Sequence, residues 1–283
     1  MKRMLKRIPF VMAIVRWLKI GSNVKDLRDI VLSYQAELLK LAHPNPLCRH
    51  GIKCFSQSDE DGITIEILSR IESLQSGTFA EFGVGDGTEN NTLVLKALGW
   101  RGFWVGGEKL AILAHQPKDS FSYIRAWVTR DNVVDLAKEG LGFSGESSID
   151  VISMDLDGND IYLIEKLLEG GFRPKLFITE YNAKFPPPVR WQIEYDEGHV
   201  WRRDDYFGAS ICSLTDLFER YGFFLVCCNA HTGSNAFFIR NEYREQFSDV
   251  PNDVRDIYVA PRYYLYSPYG HPQSMKTIER IFS

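Results

Sequence analysis

The segment MDLDGND, residues 154–160, carries Asp155, Asp157, Asn159 and Asp160 directly behind the apolar run IDVIS. Carboxylates this close can hold a hard cation through oxygen ligands, act as a general base, or close a polar turn that starts a helix. An EF-hand is excluded, because Gly158 comes too early and no glutamate stands at the last loop position. Another apolar run ends in EYN, residues 180–182. If the two runs are neighbouring strands, Asp155 or Asp157 faces Glu180 or Asn182, a set suited to Mg2+ that keeps several waters. The alternative is metal-free, with Asp157 or a histidine as the base. On either reading Asp155 or Asp157 faces the site, and Asn159 or Asp160 caps the next helix.

A third stretch, EFGVGDGTENN (81–91), has Gly83, Gly85 and Gly87 between an apolar run and a helical pattern. Glycines there permit a tight turn and close backbone approach to a ligand. A dinucleotide fold prefers G-x-G-x-x-G, and Thr88 stands where its last glycine belongs. Glu81, just ahead of the glycines, suits a ligand with a positive group. Glu108, after the next apolar run, can accept both vicinal hydroxyls of a ribose.

These residues need a scaffold. Apolar runs at 78–83, 102–107, 122–127, 149–154, 175–181, 223–228 and 235–240 read as strands. Helical patterns near 89–99, 109–116, 131–140 and 159–169 alternate with the first five, and one at 211–221 precedes the sixth. Strict alternation predicts a parallel sheet with helices on both faces. The last two strands are joined by NAHTGS, too short for a crossover, and are expected to be antiparallel. Upstream, VKDLRDIVLSYQAELLKLA (24–42) has helical spacing of Leu27, Ile30, Val31, Tyr34, Leu38 and Leu41, and a second helix runs from a cap at Ser58 to Ile71. The expected fold is α/β, a Rossmann-like seven-stranded sheet, mostly parallel with an antiparallel terminal pair.

EFGVGDG followed by Glu108 resembles the cofactor site of class I S-adenosylmethionine-dependent methyltransferases. SQSDEDGITIEIL (56–68), FAEFGVGDGTENNTLVLKALGWRGFWVGGE (79–108), SMDLDGNDIYLIEKL (153–167), FITEYN (177–182) and GSNAFFIR (233–240) resemble, more narrowly, bacterial FkbM-related methyltransferases of polysaccharide and glycolipid gene clusters. The resemblance covers residues 55–240. It implies methyl transfer from S-adenosylmethionine to a hydroxyl, often of a sugar. It further implies that Glu81, Gly83 and Gly85 line the methionine and ribose side and that Glu108 holds the ribose. Asp131 or Asn132, after the third strand, is a candidate for the adenine amino group or for a helix cap. Gln57 and Asp61 are candidates for the cofactor's amino-acid end or for capping the second helix.

The segment KFPPPVRWQIEYDEGHVWRRDDYFGAS (184–210) is long for a loop in a compact domain, and such loops are usually functional. Its aromatic and charged residues suit a saccharide or glycolipid acceptor. The candidate contacts are Asn182, Arg190, Trp191, Tyr195, Trp201, Arg202 and Arg203, with His199 as a candidate base; a structural lid is the alternative. His231, in NAHTGS, is expected at the far edge of the sheet and is the weaker base. Three parts are expected: a basic helical extension (1–54), the cofactor-binding domain (55–245) and a Tyr/Pro-rich tail (246–283) that wraps the domain or adds to an acceptor or dimer surface.

A net charge of −4 supplies no field for nucleic acid. Five scattered cysteines fit reduced thiols in the cytoplasm, and the C-x5-C spacing of Cys48 and Cys54 is too loose for the usual structural zinc patterns. Residues 1–25 hold seven basic side chains and no acid, with an apolar run too short to span a bilayer. Such a segment suits peripheral contact with the inner face of a membrane, or packing on the domain or a partner; a homo-oligomer is possible. Two rivals stand beside the enzyme: a silent partner in a polysaccharide assembly complex, and a nicotinamide-dependent oxidoreductase.

Overall fold

The computed structural model of the protein describes residues 9–111, 120–265 and 274–282. Its centre is a seven-stranded sheet: β1 (Thr78–Phe82), β2 (Arg101–Gly106), β3 (Phe121–Arg125), β4 (Val151–Met154), β5 (Leu176–Glu180), β6 (Phe223–Cys228) and β7 (Asn235–Arg240), in the spatial order β3-β2-β1-β4-β5-β7-β6. β1 through β5 run parallel, and β7 runs antiparallel to both neighbours. The sheet is flanked by α2 (Glu60–Arg70), α3 (Leu93–Ala97), α4 (Val133–Ser144), α5 (Asp160–Glu169) and α6 (Ile211–Arg220). Covered faces explain why β1, β4 and β6 are buried along their whole length, with no alternation of buried and exposed residues.

Strand order reverses between β1 and β4, whose ends stand in register at Phe82 and Met154. The crevice beyond such a reversal is where open α/β sheets bind ligands. β7 enters between β5 and β6, so the turn joining the last two strands lies beside the end of β5. That turn is at the edge of the sheet, as expected, and His231 is buried there beside Asp59, while Thr232 and Ser234 of the same turn reach toward the end of β5.

Ahead of the sheet, α1 spans Pro9–Ala42. The expected helix is present, and its Leu27, Ile30, Val31, Tyr34, Leu38 and Leu41 are exposed. Ala36 and Lys40 are buried, and the Lys40 ammonium donates to the Gly51 carbonyl at 3.0 Å. Leu47 and Cys48 already belong to the core, so the packed body begins before residue 55. The tail returns to the body as well: Ile257, Val259 and Leu265 are buried, and the Phe282 ring meets Trp104 and Phe121 edge-on. Of the helix expected near 109–116, residues 109–111 are not helical and the rest lies outside the described residues. Among the described residues no helix is long and apolar enough to cross a membrane.

Candidate functional site

The glycine loop leaves β1 against the end of β4. Gly83 has φ +93, and a Cβ there would stand 1.6 Å from the Asp155 carbonyl oxygen, so both its conformation and its neighbour require glycine. Gly85 differs: φ is +50, and nothing lies within 4 Å of where its Cβ would be. That open backbone is a surface a ligand can approach.

Glu81 is not aimed at this opening. Its buried carboxylate accepts from the Asn91 and Thr92 backbone N–H groups at 2.9 and 3.0 Å and from the Thr92 hydroxyl at 2.5 Å, tying β1 to the start of α3. Burial raises its pKa against those donors. Asp61 is likewise committed to the fold: one oxygen accepts from the backbone N–H groups of Cys54, Phe55 and Ser56 at 2.6–2.8 Å. Asn132 fixes its own turn, accepting from Thr129 N–H and donating to the Trp127 carbonyl. Glu81 and Asn132 differ from the ligand contacts weighed for them, because their side chains are taken by groups that only the folded chain brings near; Asp61 gives one oxygen to the fold in the same way, while its other oxygen is buried without a hydrogen bond. Gln57, Glu108 and Asp131 are exposed. Glu108 sits past the end of β2, where the Tyr123 hydroxyl donates to its carbonyl at 2.5 Å. Trp127, unselected from sequence, is 56% exposed and faces Gly107 from the end of β3.

The turn after β4 separates its carboxylates by role. Asp160 accepts from the Leu156 and Gly158 N–H groups at 2.8 and 3.0 Å and closes the turn at the start of α5. Asn159 instead holds the long loop, donating to the Asp196 carbonyl at 2.7 Å. Asp157 adopts φ +55, which Asp and Asn tolerate better than most residues. With one oxygen taken from each, Asp155, Asp157 and Glu180 lie within 4.8 Å of one another. Glu180 Oε2 is buried and accepts no hydrogen bond. Burial first, and then the neighbouring carboxylates, hold Asp155 and Glu180 well above the ordinary carboxylate range. Asp157 is raised by burial, opposed by His199. The His199 ring lies on Gly158, where a Cβ would come 2.3 Å from its Cδ2.

Such a trio is destabilised by its own charge unless protons, a cation or a positive ligand compensate it. Below about pH 4 these carboxyls are protonated in both the folded and the unfolded chain and cost nothing. As the pH rises through their raised folded values, the unfolded chain loses protons more readily, and stability falls. Glu180→Gln is therefore expected to raise the melting temperature at pH 8 by roughly 3 °C or more. The gain should vanish near pH 4. Millimolar Mg2+ should stabilise the native chain and not the variant; equal Mg2+ effects on both would remove the cation from this site.

The trio opens into a cavity of about 640 Å3, also lined by Gln57, Lys184, Trp201, Arg203 and Phe207. The long loop roofs it and is pinned on three sides. Trp127 donates to the Glu197 carbonyl at 2.9 Å, Gly208 N–H to the Gly158 carbonyl at 3.1 Å, and Asn182 to the Asp205 and Phe207 carbonyls at 2.9 and 3.0 Å. Asn182 accepts from Lys184 N–H through its remaining oxygen, so it braces the loop and is not grouped with the three acids.

Several acceptor candidates fall elsewhere. Arg190 makes a two-pronged ion pair with Asp216 on α6. Trp191 stacks on Phe185 with ring centroids 4.1 Å apart, and the Tyr195 hydroxyl accepts from Arg130 N–H. Arg202 is exposed and does not line the cavity; Trp201 and Arg203 do. Eight lining residues were not singled out from sequence: Lys184, Asp204, Asp205 and Phe207 within the long loop, Thr232 and Ser234 from the β6–β7 turn, and Pro261 and Tyr263 from the tail. Burial, with Glu180 nearby, pushes the Tyr263 hydroxyl up to about 12.

No family model matches the chain. No curated protein matches it either. Among solved structures, one described as cofactor-bound Rv0187 from MTB is similar at 12% identity and a TM-score of 0.39, covering 74% of this chain and 89% of that one. That likeness is too distant to carry an argument about this chain.

Proposed function

We propose that the protein is an S-adenosylmethionine-dependent O-methyltransferase acting on a hydroxyl of a saccharide or glycolipid. The observation that carries this reading is the convergence of Asp155, Asp157 and the unpartnered Glu180 oxygen on one cavity at the carboxyl ends of β4 and β5. Gly85, the exposed Glu108 and the face of Trp127 fit a nucleoside bearing a positively charged sulfonium. The acids supply compensating charge.

Methyl transfer is an in-line displacement, so much of the catalysis is alignment. The cofactor supplies the electrophilic methyl group. Trp201, Phe207 and Arg203 flank the acceptor, the roofing loop excludes water, and Asp157, with His199 beside it, receives the hydroxyl proton. A second reading of the same acids is favoured by the orphaned Glu180 oxygen. In it Asp155, Asp157 and Glu180 hold Mg2+, which would lower the acceptor hydroxyl's pKa. The basic N-terminal residues fit work at the inner face of a membrane, where a lipid-linked acceptor would be found.

The test is transfer of radiolabelled methyl from S-adenosylmethionine to a panel of free and lipid-linked saccharides, with and without chelator. Label in at least one saccharide is expected. Activity lost to chelator and restored by Mg2+ selects the metal reading, and activity indifferent to chelator selects Asp157 alone. No labelled saccharide in a panel spanning common surface sugars, with the cofactor bound, would contradict the proposed acceptor class.

A further inference from the structure

The Tyr/Pro-rich tail has no task in the chemistry proposed above, yet it is tied to the body at several points. The Tyr181 hydroxyl, just past β5, donates to the Val259 carbonyl at 2.6 Å, and the Tyr258 hydroxyl donates to the Ala183 carbonyl at 2.6 Å. Arg262 N–H donates to the Thr232 carbonyl at 2.8 Å. The tail runs so close to the β6–β7 turn that a Cβ on Gly233 would stand 2.7 Å from the Val259 carbonyl oxygen. These ties bring Pro261 and Tyr263 to the wall of the cavity that holds Asp155, Asp157 and Glu180.

Tyr263 differs from the two tyrosines that fix the tail. Their hydroxyls are taken by backbone carbonyls, whereas Tyr263 is 50% exposed and its hydroxyl has no hydrogen-bond partner among the described residues. A tyrosine carried by an anchored backbone but left half bare offers an apolar ring and a polar tip to whatever enters the cavity. With its pKa pushed up to about 12, the hydroxyl keeps its proton and can donate to a ligand oxygen. Trp201 offers a second half-bare ring from the roofing loop, with Phe207 edge-on to it at 5.9 Å. Aromatic faces and hydrogen-bonding carboxylates in one cavity match the two sides of a sugar: its C–H face is apolar, and its edge carries hydroxyls.

We propose that Tyr263 is a specificity-determining residue of the acceptor site, its ring packed on the C–H face of the acceptor's sugar ring. This rests on the saccharide acceptor proposed above and adds a requirement to it. The acceptor must present a pyranose face to the tail; a hydroxyl on an alkyl chain or a peptide would leave this wall unused.

The experiment is saturation-transfer NMR on the full chain with the methyl glycosides of glucose, galactose, mannose and rhamnose, S-adenosylhomocysteine being present. Native chain, Tyr263→Ala and Tyr263→Phe are compared, with thermal melts to check folding. The native chain is expected to bind at least one glycoside, with saturation strongest on ring C–H protons. Tyr263→Ala should bind it at least about fivefold more weakly, and Tyr263→Phe within about threefold of native. If Tyr263→Ala melts early, Tyr263→Leu, which keeps apolar bulk without a flat face, should show the same loss. Unchanged glycoside affinity in the folded Ala or Leu variant would overturn the inference. So would a native chain that binds S-adenosylhomocysteine but none of the four glycosides. A native chain that binds a glycoside through Tyr263 but does not bind S-adenosylhomocysteine would support the sugar wall and contradict the methyl-transfer reading instead.

Discussion

Asp157→Asn is expected to lower the rate of methyl transfer by about 100- to 10,000-fold, the range for removing a positioned base. S-adenosylhomocysteine should bind within twofold of its native affinity. The substitution is chosen for its backbone as well as its charge. Asp157 sits at φ +55, a conformation that Asn accepts more readily than Ala. The turn itself is closed by Asp160 rather than by Asp157. A loss of activity therefore reports the missing carboxylate and not a collapsed turn. Steady-state kinetics with isothermal titration of the product cofactor checks this. Near-native turnover would return Asp157 to a purely conformational role and leave Asp155 or His199 as the base.

The second large effect separates the two glycines of the loop. Gly83→Ala should cost more than about 4 kcal/mol and lower the melting temperature by roughly 10 °C. Its new Cβ would meet the Asp155 carbonyl oxygen at 1.6 Å, and the backbone that must move is the joint between β1 and β4. Gly85→Ala meets nothing within 4 Å and bears only the strain of φ +50, about 1 kcal/mol. That variant should fold and yet bind S-adenosylhomocysteine at least about tenfold more weakly, because the added methyl occupies the face offered to the cofactor. Thermal melts and titration of both variants give the comparison. If both lost stability equally and both kept their ligand affinity, the loop would be structural only.

The strands were legible because a sheet covered by helices demands continuous apolar runs, and glycines, prolines and polar turns bound each run sharply. The short NAHTGS turn showed that β6 and β7 pair, but not which of them lies against β5. The answer places Thr232 and Ser234 at the cavity and His231 beside Asp59. Asp155, Asp157 and Glu180 were legible as one group because acids at the ends of adjacent parallel strands must meet. The fates of Glu81, Asp61 and Asn182 were not. Each is decided by backbone donors and acceptors that fold back on it, and local sequence carries no sign of them. The same limit applies to Tyr263, which reaches the cavity only because the tail packs against the body. Helical spacing in α1 was read correctly, but periodicity does not say what a face packs against. In α1 that stripe is exposed.

Calorimetric titration of the native chain with S-adenosylhomocysteine is the most direct test of the central claim. The arrangement of Gly85, Glu108 and Trp127 predicts one site per chain with a dissociation constant in the micromolar range, weakened by Glu108→Ala. Absence of binding at several hundred micromolar ligand would contradict the methyltransferase reading, whatever chemistry the three acids perform.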